Sequence, residues 1–232
     1  MTSDKRAEIA NGPGIGTKAV IGLAALSAIT FIVLAAFPYR AMFGSEEVAR
    51  QTLQDFQFAY WPRRGWLLVH IAGGLIALVS GPLQLWLGLH HVKIGVHRKL
   101  GMVYFAGMTI GSIAAIVLAL KTDLGVIFGS GLFFLAMAWI STTTLAYVAI
   151  RRNLLDQHRE WTIRSYVVTF AFVTFRIGQI ALVGAGIPIG TAVSIMAWAC
   201  WAVPLPAAEL IIQGRKLKNA SAQQRRSRAT HA

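Results

Sequence analysis

Two histidine–arginine pairs are the residues of this chain best placed to do chemistry. They are His97–Arg98, opening HRKLGMVY, and His158–Arg159, opening HREWTIRSY. An imidazole beside a guanidinium can ligate haem iron while the arginine meets a propionate, or it can hold a quinone headgroup by hydrogen bonds. Other polar residues stand inside or at the ends of long apolar runs: His70 and Gln84, then Arg164 and Arg176, then Glu209. A charge in a bilayer is costly, so each needs a partner, water or a route to the interface. His158, Thr162, Ser165, Thr169 and Arg176 recur at near-helical spacing. His158 and Arg176 are five turns apart, roughly 27 Å at 1.5 Å per residue. Such a stripe either lines a cavity or proton path or packs helices through hydrogen bonds; the Ser and Thr fit packing, and Arg176 fits function. His70 and Arg176 fall at similar depth, where a neutral imidazole would accept a hydrogen bond from the guanidinium if the two meet. Glu209 has Arg159, Arg164 and His158 as candidate partners on one side of the membrane.

The elements that must position these groups follow from composition. The chain has 232 residues, 56% hydrophobic and only 13% charged, with a mean hydropathy of +0.58. A soluble domain carries roughly 25% charged residues, so a soluble globule, a disordered tail and a disulfide scaffold are poor readings of this composition. Six apolar runs stand out: Ala19–Phe37, Trp66–Leu89, Leu100–Leu120, Val126–Ile150, Thr162–Gly184 and Gly190–Gln213. Each is long enough to cross a hydrocarbon core as a helix, and none alternates with period two. The first exceeds the length of a signal-peptide core and reads as a retained span. The expected fold is an all-α integral membrane protein, a six-helix transmembrane bundle over 19–213, with a cytoplasmic segment at 1–18 and a basic, disordered tail at 214–232.

Charge sets the orientation. Sixteen of the 22 Lys and Arg fall on the side holding both termini and the second and fourth loops, and five on the other. By the positive-inside rule both termini are cytoplasmic. The net charge of +13 is then a topology signal that touches anionic lipid headgroups rather than nucleic acid. The one long loop, Pro38–Gly65, carries a short outer helix that Ser45 caps, with Glu46 and Glu47 in its first turn. Small residues at Gly73, Ala77 and Gly81, and Gly107 and Gly111 at G-x-x-x-G spacing, predict close helix approach. Pro204 and Pro206 predict a kink and freed carbonyls ahead of Glu209.

Three longer stretches carry a family resemblance: HIAGGLIALVSGPLQLW at His70–Trp86, HRKLGMVYFAG at His97–Gly107 and HREWTIRSYVVTFAFVTFR at His158–Arg176, joined by AEL at Ala208–Leu210. With them, Trp66 to Gln213 resembles the bacterial predicted-membrane-protein family known as domain of unknown function 2306. The resemblance implies a multi-helix inner-membrane protein with no assigned activity. It places the characteristic polar positions on His70, Gln84, His97, Arg98, His158, Arg159, Arg164, Arg176 and Glu209. The chain departs from the pattern at Pro204, where Asn is frequent, and at Thr162, where Met is usual.

Three functions compete. A redox protein would hold haem b or a quinone near the cytoplasmic side, with His97 and His158 as the haem ligands. A small transporter or proton conductor would use the stripe, His70 and Glu209, although neither an inverted repeat nor a pair of broken helices is evident. A non-catalytic assembly or sensing partner, or a homo-oligomer, would use the small-residue faces. Hydrolytic motifs are absent from the sequence, and no metal site is assigned. Cys200 stands alone in an apolar run, so an internal disulfide is excluded. The two His-Arg elements, 61 residues apart, hint at a duplicated helix hairpin, but their remaining sequence similarity is too thin to establish one.

Overall fold

The structure is a computed structural model and describes residues 22, 25–26, 29–33, 38–53, 55–90 and 93–230. Most of the first apolar run, residues 19–37, lies outside the described residues. Among the described residues every regular element is helical. Among these residues, five stretches are long and apolar enough to cross a membrane: Trp61–Gly88, Ile94–Leu120, Val126–Arg151, Leu155–Gly184 and Ile189–Ser221. They correspond to the second through sixth runs of the sequence.

The chain divides into two compact units, residues 1–114 and 115–232. In the first, the 38–65 segment folds into a 3₁₀ turn at Pro38–Phe43 and two short helices, α1 (Glu46–Thr52) and α2 (Asp55–Phe58). Ser45 caps α1 as expected, its hydroxyl accepting from the Val48 N–H at 3.4 Å. The sequence predicts one outer helix here; the chain instead leaves helical geometry at Leu53, whose backbone is extended. A 3₁₀ turn at Trp61–Arg63 then leads into α3 (Arg64–Leu89).

α3 and the first part of α4 (Ile94–Leu120) form a hairpin whose contact runs through glycine. A Cβ on Gly73 would stand 2.6 Å from the Gly107 carbonyl oxygen and 2.8 Å from Gly111 Cα. No side chain fits there, so the two backbones touch, as the small-residue spacing predicts.

The second unit continues with α5 (Val126–Arg151), α6 (Leu155–Thr169), α7 (Ala171–Gly184), α8 (Ile189–Ala202) and α9 (Pro204–Thr230). Two short breaks in regular helical bonding mark its last two spans, at Phe170 between α6 and α7 and at Val203 between α8 and α9; both residues keep right-handed helical dihedrals, so each span remains one long helix. The second break follows from the sequence: Pro204 and Pro206 cannot donate backbone N–H bonds to the preceding turn. The first does not, since Thr169–Phe170–Ala171 contains neither Pro nor Gly. α9 does not stop at Gln213. It runs on to Thr230 across the segment expected to be a disordered tail, because Lys, Gln, Arg and Ala are good helix formers and no proline interrupts them.

Candidate functional site

His97 is the fourth residue of α4. It sits just past Lys93, whose left-handed backbone (φ 48°) turns the chain into the helix. Its Nδ1 lies 2.9 Å from the carbonyl oxygen of Gln84, on the preceding helix. A carbonyl only accepts, so Nδ1 carries the proton, and in the neutral ring Nε2 is the basic nitrogen. The imidazole lies over Gly88, where a Cβ would stand 3.1 Å from its Cε1. One turn further along, the buried Gln84 side chain lies over Gly101 with the same 3.1 Å spacing. His70 also uses Nδ1, 2.9 Å from the Gly111 carbonyl oxygen. It therefore joins the glycine contact between α3 and α4. Arg98 points outward and is exposed.

The α5–α6 hairpin repeats this device. His158 is the fourth residue of α6, and its Nδ1 lies 2.9 Å from the Ala146 carbonyl oxygen. Here too the chain turns through a left-handed residue, Asn153 (φ 58°). Above the histidine, the polar stripe is spent on hydrogen bonds. Thr162 Oγ1 donates to the His158 carbonyl at 2.7 Å. Thr143 and Ser165 share a buried hydroxyl pair at 2.6 Å. The Trp139 indole N–H donates to Thr169 Oγ1 at 2.8 Å, and Thr169 in turn donates to the Ser165 carbonyl. Ser165 and Thr169 thus tie α6 to α5. Arg159 is exposed and lies 3.8 Å from Asp156.

Of the candidate partners for Glu209, the structure brings together Arg164. Arg164 Nε and Nη2 both reach Glu209 Oε2, at 2.7 and 2.6 Å. Glu209 Oε1 accepts from Gln213 Nε2 at 2.6 Å. The third nitrogen, Nη1, is buried without a hydrogen bond and faces Glu160 Oε2 at 3.6 Å. Lys216 closes the cluster on Glu160 at 2.8 Å, and the guanidinium stacks over Trp161 at 4.6 Å. Burial makes the arrangement matter: the Arg164 side chain is only 8% exposed. Sequence reasoning missed Glu160, Gln213, Lys216 and Trp161. Their signal is periodicity, since Glu160 is one turn before Arg164, and Gln213 and Lys216 are one and two turns after Glu209.

Arg176, a further cation of the Leu155–Gly184 candidate span, donates from Nη1 to Gln179 Oε1 at 2.9 Å and lies over Phe175. Nearby, the break between α8 and α9 is repaired across helices. The Cys200 carbonyl would take its helical bond from residue 204, a proline; Thr174 Oγ1 donates to it instead, at 3.1 Å. Among the described residues no cluster of three or more His, Cys, Asp or Glu could hold a metal ion.

Residues 67–212 match the model of a family described as predicted membrane protein, domain of unknown function 2306. No curated protein and no solved structure matches the chain. The chain belongs to that family, which is a family of membrane proteins of unknown function, and the candidate residues from His70 to Glu209 fall within the matched stretch, with Gln213 and Lys216 just beyond it.

Proposed function

We propose that this is a redox-linked, multi-pass inner-membrane protein that takes haem b or a quinone headgroup near the cytoplasmic ends of its helices, with His97 or His158 as the ligand. The first apolar run supplies a sixth span, and both termini are cytoplasmic. The supporting observation is the bond from each Nδ1 to a backbone carbonyl. Histidines that ligate metals are held in this way, one nitrogen donating to a carbonyl while the other faces the metal. The donor chemistry therefore fits a haem axial ligand, and the adjacent Arg98 and Arg159 suit propionates or acidic headgroups. For a quinone, the same nitrogen accepts a proton from a hydroquinone hydroxyl. Haem b bound there would supply one-electron transfer; the chain's own part is to fix the tautomer and the ring plane.

A reduced-minus-oxidised absorption spectrum of the detergent-purified protein, expressed with ample haem, tests this. Haem bands that weaken in His97→Ala or His158→Ala and disappear in the double variant support it. A spectrum without haem bands, together with no quinone in a solvent extract, overturns it.

Transport is the second reading, carried by the polar stripe that runs from His158 to Arg176 along one stretch of helix. Against that, Ser165 and Thr169 are committed to bonds between helices. Arg176→Leu abolishes flux in proteoliposomes if the stripe is a path, and lowers only stability if it is packing.

A further inference from the structure

The two histidine hairpins agree in more than their motifs. The first helix of each has 26 residues, Arg64–Leu89 and Val126–Arg151. Each is followed by a short turn with a residue at positive φ, Lys93 or Asn153. Each second helix then places a histidine fourth, and that histidine bonds the carbonyl of a residue five before the end of the first helix, Gln84 or Ala146.

Burial follows the same register. In the first helices, Leu67, Gly74, Ala77, Ser80, Gln84 and Leu87 are buried, and so are their counterparts 62 positions on, Gly129, Ala136, Trp139, Thr142, Ala146 and Ala149, whereas buried Gly73, Leu78 and Pro82 and buried Phe128 and Gly131 have counterparts that are not buried. In the second helices, with an offset of 61, buried Tyr104, Met108 and Ser112 correspond to buried Ser165, Thr169 and Val173. The offset changes by one because the second turn is one residue shorter. The side chains differ in size at most of these positions, with Ser80/Thr142 and Gly74/Ala136 the most alike, so the likeness lies mainly in register.

We infer that α3–α4 and α5–α7 are tandem copies of one helical hairpin, and that His97–Arg98 and His158–Arg159 are the same site present twice, each imidazole fixed by Nδ1–H to its own hairpin with Nε2 as the ligating nitrogen. Parallel repeats of this kind are an established way of building membrane proteins. A ligand site on one copy has an equivalent on the other. The stoichiometry is then two imidazole sites per chain, one per hairpin. The choice of haem b as probe rests on the proposed function; the equivalence of the two histidines does not.

Two measurements on the intact detergent-purified protein separate these claims. The first is ¹⁵N NMR of histidine-labelled protein above the imidazole titration range, assigned with His97→Asn and His158→Asn. Both rings should show a protonated Nδ1 and an unprotonated Nε2. If either is in the opposite tautomer, the equivalence is overturned, whatever ligand binds. The second is titration with haem b. Each single variant should bind half as much as the unmodified protein, and the double variant less than a tenth. If one histidine accounts for all the binding, the second site does not exist. If the unmodified protein binds no haem, the redox reading falls, and an opposite tautomer at either ring still overturns the equivalence.

Discussion

Arg164 and Glu209 are 45 positions apart, yet both the Nε and Nη2 of the arginine converge on one oxygen of the glutamate. The pair joins α6 to α9. The arginine is buried and the glutamate side chain 41% exposed, so the partners are not equivalent. Losing the Glu209 carboxylate leaves a buried guanidinium with only the more distant Glu160, 3.6 Å away and shared with Lys216, whereas losing the guanidinium leaves a carboxylate that water can reach. Glu209→Gln should therefore cost about 2–3 kcal/mol, somewhat below the range for breaking a fully buried pair. Arg164→Met, which keeps the packing on Trp161, should cost less. Unfolding in sodium dodecyl sulfate titrations measures both. A larger loss for Arg164→Met than for Glu209→Gln would contradict the asymmetry.

The break between α8 and α9 gives a rescue experiment. Thr174→Val removes the donor to the Cys200 carbonyl and should cost about 1 kcal/mol, in the range of interhelical bonds in membranes. Pro204→Ala restores the backbone N–H that the carbonyl lacks. In that background the valine substitution should be close to neutral. A double-mutant cycle in which the two changes simply add would mean that Pro204 does not create the need for Thr174.

What the sequence makes legible, and what it does not, divides along physical lines. The spans are legible because lipid demands long apolar helices. Arg164, Arg176 and Glu209 are legible because charges are rare within such runs. Glu160 and Lys216 are not, since charges at the ends of spans read as ordinary interfacial residues until the fold sets them beside Arg164. The partners of His97, His158 and His70 are backbone carbonyls, which every residue possesses, so no residue type advertises them. The break at Phe170 lacks the Pro or Gly that usually announces one. The tail misleads because polar composition argues against burial but not against a helix that continues from a span.

The glycine contact between α3 and α4 predicts a graded series. At Gly73 even a Cβ meets backbone atoms of Gly107 and Gly111, and backbone cannot step aside as a flexible side chain can. Gly73→Ala should destabilise by about 1–3 kcal/mol, as overpacking does, and Gly73→Leu should prevent folding. At Gly65, in the first turn of the same helix, nothing lies within 4 Å of the added atom. Gly65→Ala should be neutral or stabilise by up to about 1 kcal/mol, because alanine is the better helix former. Equal losses at the two positions would show that backbone crowding is not what limits Gly73.

The hydroxyls of α6 test whether its polar stripe is packing. Thr169→Val removes the acceptor for the Trp139 indole, which is otherwise buried. Ser165→Ala removes half of the hydroxyl pair with Thr143. Bonds of this kind between membrane helices average about 0.6 kcal/mol and reach about 1.7 kcal/mol. Thr169→Val belongs at the upper end, because it leaves an indole N–H without its acceptor, and Ser165→Ala at the lower end, because Thr143 Oγ1 can turn to a backbone carbonyl one turn back. Thr169→Ser keeps the hydroxyl and should restore most of the loss, which separates hydrogen bonding from shape. If the stripe were a water-filled path, the order would differ: a hydrated hydroxyl costs little to remove, and all three variants would unfold at nearly the same detergent concentration as the unmodified protein.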